Sequence, residues 1–302
     1  MITRTHLHSL LLSALSLFAC AATQGQVQPA PALSFRPGTN GSFVFDTGHL
    51  RGVLRAGGKS AGLQSVTHIA TGTRLDAGMG LMGHYRVFST GKRYGGGAWD
   101  WPSTAKLTEQ GAVEVRWEAA DDRPFELRAT YRWATPTALD VETTVTARAD
   151  LPRFESFLAS YFNPGFSNAL AAAGTGYLTA SRAEGDWQMF PRDDAAVGIV
   201  QDGRWKLPPN PVDWAIRPRL NKPVGVRRHR IKQVTVIMMG GREECFAVAM
   251  PYETEGHYSL YLSQFGRDLK AGESARARAR LAVTMDGEEP SLRQAWTDFA
   301  GR

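Results

Sequence analysis

Residues 138–166 read ALDVETTVTARADLPRFESFLASYFNPGF. Leu139, Val141, Thr143, Val145 and Ala147 fall on one face of an extended chain. Asp140, Glu142, Thr144 and Thr146 fall on the other. A period of two predicts a half-buried strand. Asp150-Leu151-Pro152 predicts a turn, and a second apolar strand then runs to Ser160-Tyr161-Phe162-Asn163-Pro164.

The same alternation recurs outward from this segment. Val113, Val115 and Trp117 alternate with charged residues, as do Leu127, Ala129, Tyr131 and Trp133. Ala277, Ala279, Leu281 and Val283 alternate with arginines. Tyr258, Leu260 and Leu262 alternate with His257, Ser259 and Tyr261. Turn signals such as Gln110-Gly111 and Lys270-Ala271-Gly272-Glu273 separate these runs. Many alternating strands with few long helices predict an all-β, antiparallel sandwich. One short C-terminal helix is expected, with Ser291 as its cap and Leu292, Trp296 and Phe299 at helical spacing.

A strand, an acidic-Pro turn and a strand ending in Tyr161-Phe162-Asn163 resemble the central strands of the galactose mutarotase-like (aldose 1-epimerase-like) superfamily. The turn Leu269-Lys270-Ala271-Gly272-Glu273 and its strand to Val283 are similar to that superfamily's closing segment. The resemblance spans residues 40–285 loosely and 138–166 specifically. It implies a β-supersandwich with a sugar-binding face. It does not carry the superfamily's catalytic pair, because Ala159 and Ser160 stand where a histidine is expected before Tyr-Phe-Asn. Met250 stands before Pro251 where a glutamate is expected. Glu253 and Glu255 lie just beyond it. An immunoglobulin-like or jelly-roll sandwich is the alternative fold.

Residues 1–25 read as an export signal. Arg4 is the only charged residue before Cys20, and Leu10 to Phe18 is an apolar core too short to span a membrane. Two endings compete. Leu17-Phe18-Ala19-Cys20 resembles a lipobox, with Cys20 lipidated, while a conventional peptidase would cut among Ala19 to Gln26. Residues 26–40 read as a flexible tether and 41–302 as one β-sandwich domain. The expected location is the periplasm or cell envelope. Loss of residues 1–19 takes the net charge from +6 to +5. Cys245, in the run Cys245–Met250, reads as a small core residue. No Cys/His metal spacing is present, and no cofactor is implied.

His84, Glu155 and His257 are the candidate catalytic residues. His84-Tyr85-Arg86 offers a histidine, a phenol and a guanidinium suited to a sugar acid, or else a polar strand face. Glu155 stands among Phe154, Phe157 and Leu158, either facing outward or as a pocket acid of raised pKa. His257 opens a late strand. The candidate substrate-binding residues are Arg86, Trp99, Trp101, Trp205, Trp214, Arg217 and Arg219. Sugars present apolar C–H faces and hydroxyl rims, which indoles and polar side chains suit respectively. Trp117 and Trp133, at inward strand positions, read as core.

Residues 203–232 carry nine Lys/Arg and one acid, Asp213. This charge without a nucleic-acid-binding motif points away from DNA or RNA and toward a solvated basic face or an acidic glycan. A uronate carboxylate would suit Arg217 or Arg219. The sequence therefore predicts an exported carbohydrate-handling protein acting on a glycan or small sugar. Its chemistry, where it has any, is acid–base at a sugar carbon: epimerisation, hydrolysis or elimination. The alternative is a non-catalytic binding module of the cell envelope. Membrane contact is expected only through a lipid on Cys20.

Overall fold

The strand Ala138–Ala147 buries every second side chain, as its alternation requires. The computed structural model describes residue 1 and residues 33–58, 60–252 and 256–301. The export signal beyond Met1, Cys20, residues 26–32 of the tether, Glu253 and Glu255 lie outside the described residues, while Phe35 and the strand Arg36–Pro37 at the tether's end pack with the domain rather than forming a free tether.

Ala138–Ala147 is central in a nine-stranded sheet. It pairs antiparallel with Phe125–Thr135 on one side and Ser274–Thr284 on the other. The next strand, Leu151–Tyr161, belongs to a different, seven-stranded sheet. There it pairs antiparallel with Ser259–Leu269 and Gly83–Ser89. The turn expected at Asp150-Leu151-Pro152 is therefore a crossing between sheets and lies earlier, at 148–150, because Leu151 and Pro152 already belong to the second strand. Asp150 fixes the crossing by accepting from the Ala271 N–H at 3.0 Å and the Lys270 ammonium at 2.8 Å. A five-stranded sheet built from Arg36–Pro37, Phe43–Asp46, Leu50–Arg55, Gly62–His68 and Thr73–Arg74 completes the described strands.

Side chains from the large sheets share one apolar core. Leu139, Val141 and Leu281 come from the nine-stranded sheet, and Leu158, Leu260 and Leu262 from the seven-stranded one. Burying each contributes about 1.5–3 kcal/mol relative to exposure. Trp117 and Trp133 are in this core, as their inward positions predict, and Cys245 is fully buried there. Burial pushes the Cys245 thiol up to about 12, so it stays protonated and inert at neutral pH.

Outside this core, the nine-stranded sheet is covered by the C-terminal helix Glu289–Ala300. Leu292, Trp296 and Phe299 pack onto Val224, Ile237 and Met239. Ser291 does not cap it. The helix starts earlier, with Glu288 at the cap position, and the Ser291 hydroxyl donates to the Asp286 carboxylate at 2.6 Å. A second helix, Asp194–Val200, is capped by the Asp193 carboxylate, which accepts from the Ala196 N–H at 2.8 Å. It packs with Phe157, Trp205 and Tyr261 on the outer side of the seven-stranded sheet.

The basic stretch 203–232 is not one solvated face. Arg204 and Arg227 are both fully buried, each with its own acceptors. Gly225 and Arg227 share the inward face of Leu220–Arg228, where a Cβ on Gly225 would strike the Leu260 side chain at 2.5 Å.

Candidate functional site: an aromatic pocket on the seven-stranded sheet

Strand alternation aims Phe157, Ala159 and Tyr161 to the outer face of the seven-stranded sheet. Leu158, Ser160 and Phe162 point into the core. The Ser160 hydroxyl accepts from the Met82 N–H at 2.9 Å inside the sandwich, so it is not on the outer face at all. On the neighbouring strand Gly83–Ser89 the alternation breaks. His84 pairs with Leu158 and Val87 with Ser156, leaving Tyr85 and Arg86 together opposite Phe157. This two-against-one bulge sends both side chains outward.

Tyr85, Arg86, Phe157, Tyr161 and Tyr261 form one side of a pocket of about 420 Å³. Trp187, Trp205, Asn210, Pro211, Val212, Trp214 and His257 close the rest. The rings pack tightly against one another. Phe157 and Tyr261 stack with centroids 4.6 Å apart, and Trp205 meets Trp214 edge-on at 5.2 Å. Trp187 lies 5.4 Å from the His257 ring and 5.8 Å from Trp214. Trp99 stacks on Tyr85 at 4.0 Å, behind the lining ring.

The polar groups of the pocket are few. The Arg86 guanidinium sits between rings, 5.1 Å from the Tyr85 centroid and 5.2 Å from that of Trp205. Its Nη2 donates to the Asn210 carbonyl at 2.8 Å. The Tyr161 and Tyr261 hydroxyls are hydrogen-bonded to each other, and Ser259 donates to Tyr261 at 2.7 Å. Burial pushes both phenols above their ordinary pKa, so they stay protonated and available as donors. None of the described lining residues is a carboxylate. Among the described residues no group of three or more His, Cys, Asp or Glu is placed to hold a metal ion.

Of the residues predicted from the sequence, Arg86, Trp205, Trp214 and His257 meet in this pocket. The others are elsewhere. His84 is fully buried between the sheets, its Nε2 2.9 Å from the Thr143 hydroxyl and its ring 5.2 Å from Trp117. Burial lowers its imidazole to about 3, so it is neutral at physiological pH. Glu155 is fully buried against Arg204, which donates to it at 3.0 Å. Burial raises the Glu155 carboxyl above its ordinary value, with Arg204 opposing. Trp101 is a core residue packed near Phe125, with Arg123 over its ring. Arg217 pairs with Glu184 and Arg219 with Asp194, away from the pocket lining. Tyr85 joins the pocket without its sequence neighbour His84, and Tyr161 and Tyr261 line it although the sequence reading does not mark them as site residues. Tyr261 alternates opposite Leu260 and Leu262, and that period was the signal available for it.

Two buried arginines hold the pocket's loops. Arg204 binds Asp202 at 2.8 Å, Glu155 at 3.0 Å and the Arg153 carbonyl at 3.0 Å. It thereby anchors the segment that carries Trp205. Arg227 donates to the Pro251 carbonyl at 3.1 Å and to the Ser259 carbonyl at 2.7 Å. These carbonyls lie on either side of His257 in the chain.

Among solved structures, the chain resembles the Slr1438 protein of Synechocystis sp. PCC 6803. The TM-score is 0.52 at 13% identity, over 87% of this chain and 100% of that one. That likeness is one of fold, a large antiparallel β-sandwich, as the strand alternation predicts. A GalM/aldose epimerase homologue from C. elegans aligns at 0.49 and 11% identity, over 79% of this chain and 96% of that one. A putative aldose 1-epimerase from Escherichia coli K12 aligns at 0.46 and 12%, over 80% and 98%. At these identities the likeness is one of fold. No protein-family model and no curated relative matches the sequence.

Proposed function

We propose that this protein binds carbohydrate in the aromatic pocket of its seven-stranded sheet. The observation that carries the reading is the lining itself: seven aromatic side chains, three of them phenols, around a cavity of about 420 Å³, with one guanidinium and one imidazole. That volume is within the range of small-molecule sites, about 300–1,000 Å³. A pyranose offers C–H groups that an indole or phenol face covers, and hydroxyls that Tyr161, Tyr261, His257 and Asn210 can meet. We propose that the chain is exported, with lipidation at Cys20 and conventional cleavage among Ala19 to Gln26 as the two competing endings. Processing sensitive to globomycin and lost in Cys20→Ala supports lipidation. Unchanged processing in the variant refutes it.

A glycan array, followed by calorimetry on each hit, tests the binding. Saturable binding that Trp214→Ala abolishes is the expected result, and an array without hits defeats the proposal. A catalytic reading has one observation in its favour, the imidazole of His257 beside two protonated phenols. Mass analysis of each bound glycan after incubation separates the two. A new product that His257→Gln abolishes makes the protein an enzyme, and unchanged glycans leave it a binding module.

A further inference from the structure

Arg86 lines the pocket, Arg93 stands next to it outside the lining, and neither forms an ion pair among the described residues. Arg86 is 5% exposed. Its Nη2 donates to the Asn210 carbonyl, and its Nε and Nη1 have no hydrogen-bond partner among the described residues. Arg93 donates to the carbonyls of Gly95, Gly96, Leu207 and Pro209, and meets the Tyr85 hydroxyl. Loss of water around Arg93, and then repulsion from Arg86, disfavour the charge on Arg93. Two neighbouring guanidinium charges in an aromatic, partly dry setting are costly unless an anion compensates them. Backbone carbonyls supply only partial charge. Arg204, Arg217, Arg219 and Arg280 each have a carboxylate, and the fully buried Arg227 is held by the carbonyls of Phe166, Ser167, Pro251 and Ser259, whereas Arg86 donates to the Asn210 carbonyl alone.

We infer that the pocket takes an acidic sugar, whose anionic group compensates the Arg86–Arg93 pair while its ring rests on the aromatic wall. This rests on the carbohydrate reading above. It moves acid recognition away from Arg217 and Arg219, whose charges Glu184 and Asp194 already answer. Carboxylate, sulfate and phosphate share the chemistry required, a compact negative charge with several acceptor oxygens. The attraction does not need contact with the covered Nε and Nη1. In a setting of few polar groups a charge acts over several ångströms.

The test is calorimetry on the whole protein with matched pairs of sugars. The pairs are oligogalacturonate and its carboxyl-reduced form, a sulfated galactan oligosaccharide and its desulfated form, and glucose 6-phosphate and glucose. One acidic member is expected to bind about tenfold or more tightly than its neutral partner, the scale of a charge-assisted contact. Which pair shows the preference identifies the anionic group. The preference should shrink as salt is raised. It should fall to near parity in Arg93→Gln, a substitution at the sheet edge, while affinity for the neutral sugar is retained. Arg86→Gln should abolish the preference as well, and because Arg86 lines the pocket its affinity for the neutral sugar is not used as a control. Acidic and neutral sugars binding equally to the wild type, or a preference that survives both substitutions, overturns the inference and leaves the carbohydrate reading standing. Failure of every sugar to bind overturns both.

Discussion

The Glu155 carboxylate accepts from the Arg204 guanidinium at 3.0 Å, and both side chains are fully buried. Burial opposes the charge on Arg204, yet Asp202 and Glu155 together raise its pKa. The pair fastens the segment carrying Trp205 onto the strand Leu151–Tyr161. Removing one member leaves the other charge buried, which costs about 3–5 kcal/mol. Arg204→Met, which takes the shared cation from both Glu155 and Asp202, should therefore lower unfolding free energy by about that much in denaturant titrations, and Glu155→Ala by less, because Arg204 keeps Asp202. Glu155→Met combined with Arg204→Met should cost less than the sum of the single changes. Simple additivity would show that the pair is not coupled.

His84 makes stability depend on pH. Its folded-state pKa is about 3, against an ordinary 6.5, because it is buried between the sheets. Above pH 6.5 neither the folded nor the unfolded state holds the extra proton, and the residue adds no pH dependence. As pH falls from 6.5 toward 3, only the unfolded chain takes up the proton. Stability then drops by about 1.4 kcal/mol per pH unit from this residue. Urea midpoints at pH 7 and pH 5 should differ more in the wild type than in His84→Gln. Equal slopes in the two proteins would place the acid sensitivity elsewhere.

Arg227 reaches from the nine-stranded sheet to the Pro251 and Ser259 carbonyls, and also to those of Phe166 and Ser167. Arg227→Met keeps much of the volume and removes every donor. Buried carbonyls then lose their partners, at about 1–3 kcal/mol each where no water replaces the arginine. The variant should show faster amide hydrogen exchange at Ser259 and Leu260 than the wild type. Exchange unchanged there would mean that the arginine does not hold this strand end.

The tryptophans divide into two groups with opposite signatures. Trp101 is 6% exposed and packs in the sandwich core. Trp101→Ala should cost about 3–5 kcal/mol of stability. Trp214 is half-buried and lines the pocket. Trp214→Phe should leave stability within about 1.5 kcal/mol while weakening any sugar that the protein binds. A Trp101 variant that is fully stable but does not bind would reverse the assignment.

The strands were legible in the sequence because their period is local. ALDVETTVTA announces its own two faces, and Phe157, Ala159 and Tyr161 follow the same rule. The pocket was only partly legible. Tyr85 and Arg86 share a face because Phe157 on another strand stands opposite both. No property of His84-Tyr85-Arg86 alone dictates that bulge, and without it Arg86 would point inward beside His84. Trp101 and Trp205 have similar sequence surroundings of Pro and charged residues, yet one fills the sandwich core and the other the pocket. Arg204 and Arg227 read as surface charge because their acceptors, Glu155 and the Pro251 and Ser259 carbonyls, come from distant strands.

Sugar is expected to lie against the aromatic wall of the seven-stranded sheet. Tryptophan fluorescence titrated with the glycan-array hits measures this directly, because Trp187, Trp205 and Trp214 all line the pocket. A saturable change in emission is expected in the wild type and is lost in Trp214→Ala, with His84→Gln binding as the wild type does. A hit whose affinity is untouched by Trp214→Ala and by Trp187→Ala would contradict it.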